Sequence, residues 1–136
     1  MSAATDQAPI KVDIWSDVQC PWCYIGKRKL EAGIAQYGRP VELVFHSFEL
    51  APDTPVDFEG TPLDYLSERK GLPVDQVHQM LERVTGVAAE VGLDYHYDLV
   101  HQTNTRKAHE VGALVVCNAI GDVVNPRTGQ LIAGAR

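Results

Sequence analysis

Ser16-Asp17-Val18-Gln19-Cys20-Pro21-Trp22-Cys23-Tyr24-Ile25-Gly26 is the stretch that decides how this chain reads. It joins an apolar run to a segment with helix-forming character. Pro21 suits the first helical position, because its missing N–H would find no partner there in any case. Cys20 is therefore expected at a helix N-terminus, where free amide groups and the positive end of the helix dipole favour an anion. A Cys20 thiolate should be stabilised there. Cys23, one turn further in, is near enough to close a small ring with it. A strand, a sharp turn, a reactive thiol and a resolving partner together describe a redox site.

Working outward, Ile10-Lys11-Val12-Asp13-Ile14-Trp15 reads as a strand, with Val12 and Ile14 on one side and Asp13 and Trp15 on the other. Asp13 reads as a solvated edge residue rather than a group that tunes the thiols. The helix runs from about Pro21 to Tyr37, and Leu30, Gly33, Ile34 and Tyr37 give it one buried face. Gly38 and Pro40 end it. Lys27-Arg28-Lys29 reads as its solvated face and adds positive potential near Cys20. A second strand, Val41 to Phe48, alternates with Val41, Leu43 and Phe45 on one face. Strand, helix and strand make a βαβ unit with parallel strands, which puts the cysteines at the carboxyl end of the first strand, where α/β folds place their sites.

Ala51 to Gly60 is rich in Pro and Asp and reads as a loop. Thr61 and Pro62 open a short helix that Gly71 closes. Pro73 starts a longer helix to about Val91 with a buried stripe of Val74, Val77, Leu81, Val84, Ala88 and Val91. Leu93 to Thr103 is a connector carrying Tyr95, His96, Tyr97 and His101. Asn104 or Thr105 caps a further helix to about Ile120 that buries Val111, Leu114, Val115 and Asn118 or Ala119. The expected organisation is a flexible arm over 1–9, a βαβ part over 10–50, a helical insertion over 51–121 and an irregular tail over 122–136. For the tail a hairpin through Val123-Val124 and Leu131-Ile132 is the alternative, disfavoured because an isolated two-stranded hairpin is marginal.

The 136 residues, 45% of them apolar, suffice for one domain with a core. A net charge of −6 argues against nucleic acid as a partner. The polar start, Met1 to Pro9, leads us to expect no secretory signal, and no apolar run approaches the roughly 18 residues of a membrane span. Three cysteines do not make a secreted disulfide framework, so the expected location is the cytoplasm. The same Cys spacing also serves in zinc sites, but a fourfold site would need Cys117 and a histidine from elsewhere, so no metal is expected. Cys117 reads as a small core residue, His78 and Glu82 as a surface pair, and His46 as a strand residue. Tyr95, His96, Tyr97 and His101 read as packing residues rather than a groove, and Asn104 and Thr105 as a cap.

Asp13-Ile14-Trp15-Ser16-Asp17 followed by Cys20-Pro21-Trp22-Cys23-Tyr24-Ile25-Gly26 closely resembles the start of the FrnE-like branch of the DsbA-type thiol oxidoreductases. Phe48-Glu49-Leu50-Ala51-Pro52 and Asn104-Thr105-Arg106-Lys107-Ala108-His109-Glu110 look like that family too, so the likeness spans residues 10 to roughly 115. The resemblance implies an α/β thioredoxin-like fold interrupted by a helical domain. It implies disulfide exchange with protein or small-molecule thiols and disulfides, with Cys20 attacking and Cys23 resolving. No organic cofactor is needed beyond the cysteine pair. Pro21 and Trp22 complete the motif, and Trp22 offers an apolar surface to a partner.

Kappa-type glutathione transferases and isomerases resemble the sequence in fold, but they usually carry serine where Cys20 stands. A complete member of the FrnE-like branch would continue through a cis-proline loop, two strands and a closing helix, whereas 15 residues follow Gly121 here. The expectation is an incomplete thioredoxin fold, in which the first strand leaves an open edge that invites self-association. The rival to an oxidoreductase is accordingly a truncated fragment that only binds or oligomerises.

Overall fold

Residues 10 to 16 alternate between half-buried Val12, Ile14 and Ser16 and exposed Lys11, Asp13 and Trp15, the period of a strand with one covered face. This strand, β1 (Ile10–Ser16), opens a computed structural model that describes residues 8–114, 123–124 and 131–133. Helix α1 (Pro21–Tyr37) follows, ended by Gly38 in the left-handed conformation at φ 71°. Strand β2 (Val41–Ser47) then lies parallel to β1, pairing Val12 with Leu43 and Ile14 with Phe45. The βαβ unit is therefore present, and the loop after β1 carries Cys20 at its end.

On the exposed face of this sheet the Asp13 carboxylate meets His46 Nε2 at 2.7 Å, and the imidazole stacks on Trp15 with ring centres 4.7 Å apart. The hydrogen bond with His46 holds the Asp13 carboxyl below its usual range.

Three helices follow. In α2 (Pro62–Lys70) Thr61 and Asp64 form a reciprocal capping box: the Thr61 side chain accepts from the Asp64 N–H, and the Asp64 carboxylate accepts from the Thr61 N–H at 2.8 Å. Helix α3 (Val74–Glu90) buries Val77, Leu81, Val84 and Ala88, four of the stripe residues. Val74 is exposed instead, since it lies in the first turn beyond the packed face, and Val91 is half-buried just past the last turn. A 3-10 turn, Tyr97–Leu99, interrupts the connector, and α4 (Arg106–Leu114) comes next. The core joins α1 to α3: Ile25 packs with Val84, Ala88 and Leu93, flanked by Val87, Val91, Tyr95 and Tyr97.

Several expectations change. The α1 face of Leu30, Gly33, Ile34 and Tyr37 is not a buried one: Leu30 and Ile34 are half-buried, while Gly33 and Tyr37 are exposed. The reason is that α1 meets α3 through Ile25, near its start, and among the described residues the sheet beside it has only two strands. Lys27, read as solvated, is buried and ion-paired with Glu31 one turn on. Val111 is 61% exposed rather than buried, because His109 of α4, and Thr105 just before the helix, turn inward instead. In the segment read as a tail, β3 (Val123–Val124) and β4 (Leu131–Ala133) pair antiparallel with a register shift, the hairpin alternative. The remainder of the helix expected to reach Ile120, and with it Cys117, lies outside the described residues.

Candidate active site

Cys20 has the extended backbone of a helix cap, φ −78° and ψ 113°, and Pro21 takes the first helical position. Its Sγ accepts the Cys23 N–H at 3.3 Å, so the thiol sulfur occupies the place of a capping side chain. The Cys20 N–H in turn donates to the Asp17 carbonyl at 3.1 Å, which closes the turn between β1 and α1. Cys20 and Cys23 are both free thiols and both partly accessible, and Trp22 between them is 51% exposed. A partner sulfur can reach the pair, with an indole beside it.

The electrostatics differ from the sequence expectation. Burial, and then hydrogen bonding to Cys23, push the Cys20 thiol up to about 11. The Cys23 and Trp22 N–H groups oppose this without reversing it. Desolvation disfavours the charged form of a thiol, and here it outweighs two amide dipoles. The expected help from Lys27 and Arg28 is directed elsewhere. Lys27 pairs with Glu31, and the Arg28 guanidinium lies over the Tyr24 ring at 5.4 Å, with its Nη2 donating to the Tyr24 hydroxyl at 3.4 Å.

The turn that presents Cys20 is held by residues that sequence reading left out of the site. Asp17, 6% exposed, accepts from the Leu50 N–H at 2.9 Å, and its Oδ1 lies 3.1 Å from His109 Nε2. Burial alone would raise its carboxyl, but bonds from Leu50, Thr105, His109 and Gln19 leave it below the usual value. Phe48 N–H bonds the Ser16 carbonyl at 3.0 Å, which ties the end of β2 to the same turn. Asn104 donates to the carbonyls of Pro52 at 3.1 Å and Thr54 at 3.0 Å, and its Oδ1 accepts the Arg106 N–H at 2.9 Å. Thr105 is buried and its carbonyl accepts the His109 N–H, so Asn104 and Thr105 do serve the start of α4. Arg106 reaches Glu49 at 3.1 Å. The stretches 48–52 and 104–110 thus converge on the turn before Cys20. The signal for them was the family likeness of those stretches, which composition alone does not carry.

The connector is also part of the site. Tyr95 donates its phenol to the Pro21 carbonyl at 2.7 Å, and Tyr95 and Tyr97 meet edge to face at 6.1 Å. Together with Val18, Gln19, Cys20, Pro21 and Tyr24, residues Asp94 to Tyr97 and Val100 line a cavity of about 290 Å³ beside the cysteine. The reading of Tyr95, His96 and Tyr97 as packing residues only is therefore corrected: they line a groove. Tyr95 and Tyr97 stand at the core's edge, so they pack against it and also share the cavity wall with Cys20. His101 contributes its carbonyl, which accepts from the Gln19 amide at 3.4 Å. His78 and Glu82 are an exposed pair at 3.7 Å, as read. Among the described residues no group of three or more His, Cys, Asp or Glu side chains is gathered as a metal site would need. Among them, too, no helix is long and apolar enough to cross a membrane.

This arrangement matches known proteins. A family model described as a DSBA-like thioredoxin domain matches residues 11–119. A crystal structure described as a probable DsbA oxidoreductase from Streptomyces coelicolor is similar to the chain, with a TM-score of 0.70 and 32% identity. The match covers 79% of this chain and 47% of that one, so the chain spans about half the length of the solved structure. No curated protein matches it. A parallel β1–β2 pair, a cysteine pair at the start of the intervening helix and a helical segment after β2, matched over residues 11–119, place the chain in the family of DSBA-like thioredoxin domains.

Proposed function

We propose that this protein is a dithiol–disulfide oxidoreductase of the FrnE-like DsbA branch, working in the cytoplasm through Cys20-Pro21-Trp22-Cys23. The observation that carries the reading is Cys20 Sγ at the N-cap of α1, 3.3 Å from the Cys23 N–H and opening on a cavity. In the reducing direction the Cys20 proton leaves to water, and the thiolate attacks one sulfur of the partner's disulfide. A mixed S–S bond forms and the partner's other sulfur departs as a thiolate, which takes a proton. Cys23, deprotonated in turn, attacks Cys20 Sγ and closes the Cys20–Cys23 bond. The partner's second thiol is released, and two electrons have passed from the protein to its partner. Oxidation of a dithiol runs through the same steps in reverse. Asp17, His109 and Tyr95 act as positioning residues, since they hold the turn and the first helical residue rather than the reacting sulfurs.

Reduction of insulin by a small dithiol, followed with the protein and with Cys20→Ala, tests the reading. Turnover that disappears in the variant supports it; activity at the variant's level with reactive thiols gives way to a second reading. That second reading, a binding or self-associating module, is favoured by the exposed Ile10 and Trp15 on β1, a strand with β2 as its one partner among the described residues. Cys20 in place of serine counts against a kappa-type glutathione enzyme, and glutathione binding that survives Cys20→Ser would restore that alternative.

A further inference from the structure

The cavity at Cys20 shares part of its wall with a neighbouring hollow. This second hollow, of about 780 Å³, lies between α2, α3 and the 3-10 turn, and Tyr97 and Val100 line both. Its floor is apolar, from Pro62, Leu63, Leu81 and Val100. Glu82 and Asp98 line the second hollow and Asp94 the first, while among the described residues no Lys or Arg side chain lines either. The titratable neighbours of these carboxylates are histidines: His78 faces Glu82 at 3.7 Å, and His96 faces Asp94 at 2.9 Å and Asp98 at 4.0 Å. Arg28 is engaged with Tyr24, which stands on the wall of the thiol-end cavity. The hydrogen bond to Asp94 raises the His96 imidazole above its ordinary value, which offsets part of the charge of Asp94 and Asp98, and the far end itself carries two carboxylates, Glu82 and Asp98.

We propose that the two hollows together receive an extended polypeptide whose cysteine is flanked by apolar and basic residues, with the cysteine at Cys20 and a Lys or Arg between Glu82 and Asp98. The inference rests on the proposed exchange reaction for its placement of the cysteine. A polypeptide is favoured over a small thiol because the hollows at Cys20 and at Glu82 are neighbours, with Tyr97 and Val100 in the walls of both. A ligand confined to the thiol end would leave the larger hollow unused. Its charge is set by complementarity: an acidic peptide, or glutathione with its two carboxylates, meets carboxylates in both hollows, whereas a basic side chain is attracted and its aliphatic stem covers the apolar floor.

The test separates binding from chemistry. Peptides of equal length carrying serine in place of cysteine, with either basic or acidic residues on the flanks, are titrated into the full chain by calorimetry. The basic peptide is expected to bind roughly tenfold tighter at low salt, with the preference shrinking as salt is raised. Glu82→Gln combined with Asp98→Asn should abolish that preference. Both side chains are exposed, at 68% and 78%, so neither change disturbs the core. Equal affinities, or a preference that persists in the double variant, overturn the inference. Cysteine versions of the same peptides, supplied as disulfides, report separately on exchange. A charge preference in binding with no exchange refutes the proposed reaction and leaves the basic-polypeptide site standing.

Discussion

His109 Nε2 lies 3.1 Å from Asp17 Oδ1, a contact between side chains 9% and 5% exposed that joins residues 92 apart in sequence. It fastens α4 to the turn that presents Cys20. A buried carboxylate is tolerated only when its oxygens are satisfied, and Asp17 is satisfied from the backbone of Leu50 and Gln19 as well as from His109 and Thr105. Asp17→Ala should destabilise the fold by about 3 kcal/mol, because it strands several buried donors at once. Urea denaturation measures this, and a loss within experimental error of zero would show the network to be dispensable.

The same residue fixes an acid limb of stability. Burial raises the Asp17 carboxyl, but its hydrogen bonds overcome this and leave it below 3.8. A depressed folded value means the contribution is present above the unfolded value and fades as pH falls through the folded one. Stability measured from pH 6 downward should therefore drop below about pH 4, and Asp17→Asn should flatten that drop. An unchanged profile in the variant would assign the acid limb to other carboxylates.

Tyr95→Phe removes one hydrogen bond, to the Pro21 carbonyl, and leaves the ring in the core's margin. The cost should be about 1 kcal/mol in stability. Exchange at Cys20 should slow, since the first residue of α1 loses its tether to the connector. A variant with unaltered exchange and unaltered stability would mean the bond is not formed in solution.

Alkylation of Cys20 by iodoacetamide, in a Cys23→Ser background and in the intact pair, reads the thiol directly. With its value pushed up to about 11, the intact protein's Cys20 should react faster with every step of pH from 7 to 10 and show no plateau in that range. Replacing Cys23 removes one of the upward pushes and should shift the curve to lower pH. A plateau below pH 8 in the intact protein would mean that the helix-end amides outweigh burial.

Thr61→Ala deletes the acceptor of the Asp64 N–H and breaks the capping box of α2. A destabilisation of about 1 kcal/mol is expected, with Thr61→Ser recovering most of it. If alanine and serine behave alike, the cap contributes nothing to the folded state.

Much of the local structure was legible because its causes are local. Pro21, Gly38, Thr61 and Gly71 mark helix ends through φ restriction, left-handed turns and a side-chain acceptor, and α1 and α2 begin and end there. The α3 stripe was legible because four of its residues recur at helical spacing and all four are buried. The burial of Lys27 and the exposure of Tyr37 were not, since each depends on which part of α1 meets α3. The direction of the Cys20 shift was misread for a similar reason: helix-end amides are implied by sequence, whereas desolvation follows from what packs around the thiol.

The sequence by itself determined the chemistry on offer, a cysteine pair with a proline at the helix start, and the alternation that makes β1 and β2 strands. Only the tertiary structure decided what surrounds that pair. Asp17 and His109, Tyr95 and Pro21, and the neighbouring hollows at Cys20 and at Glu82 each join residues far apart along the chain. No short-range preference specifies such pairings; the packing of the Ile25 core and the turns around it brings them together.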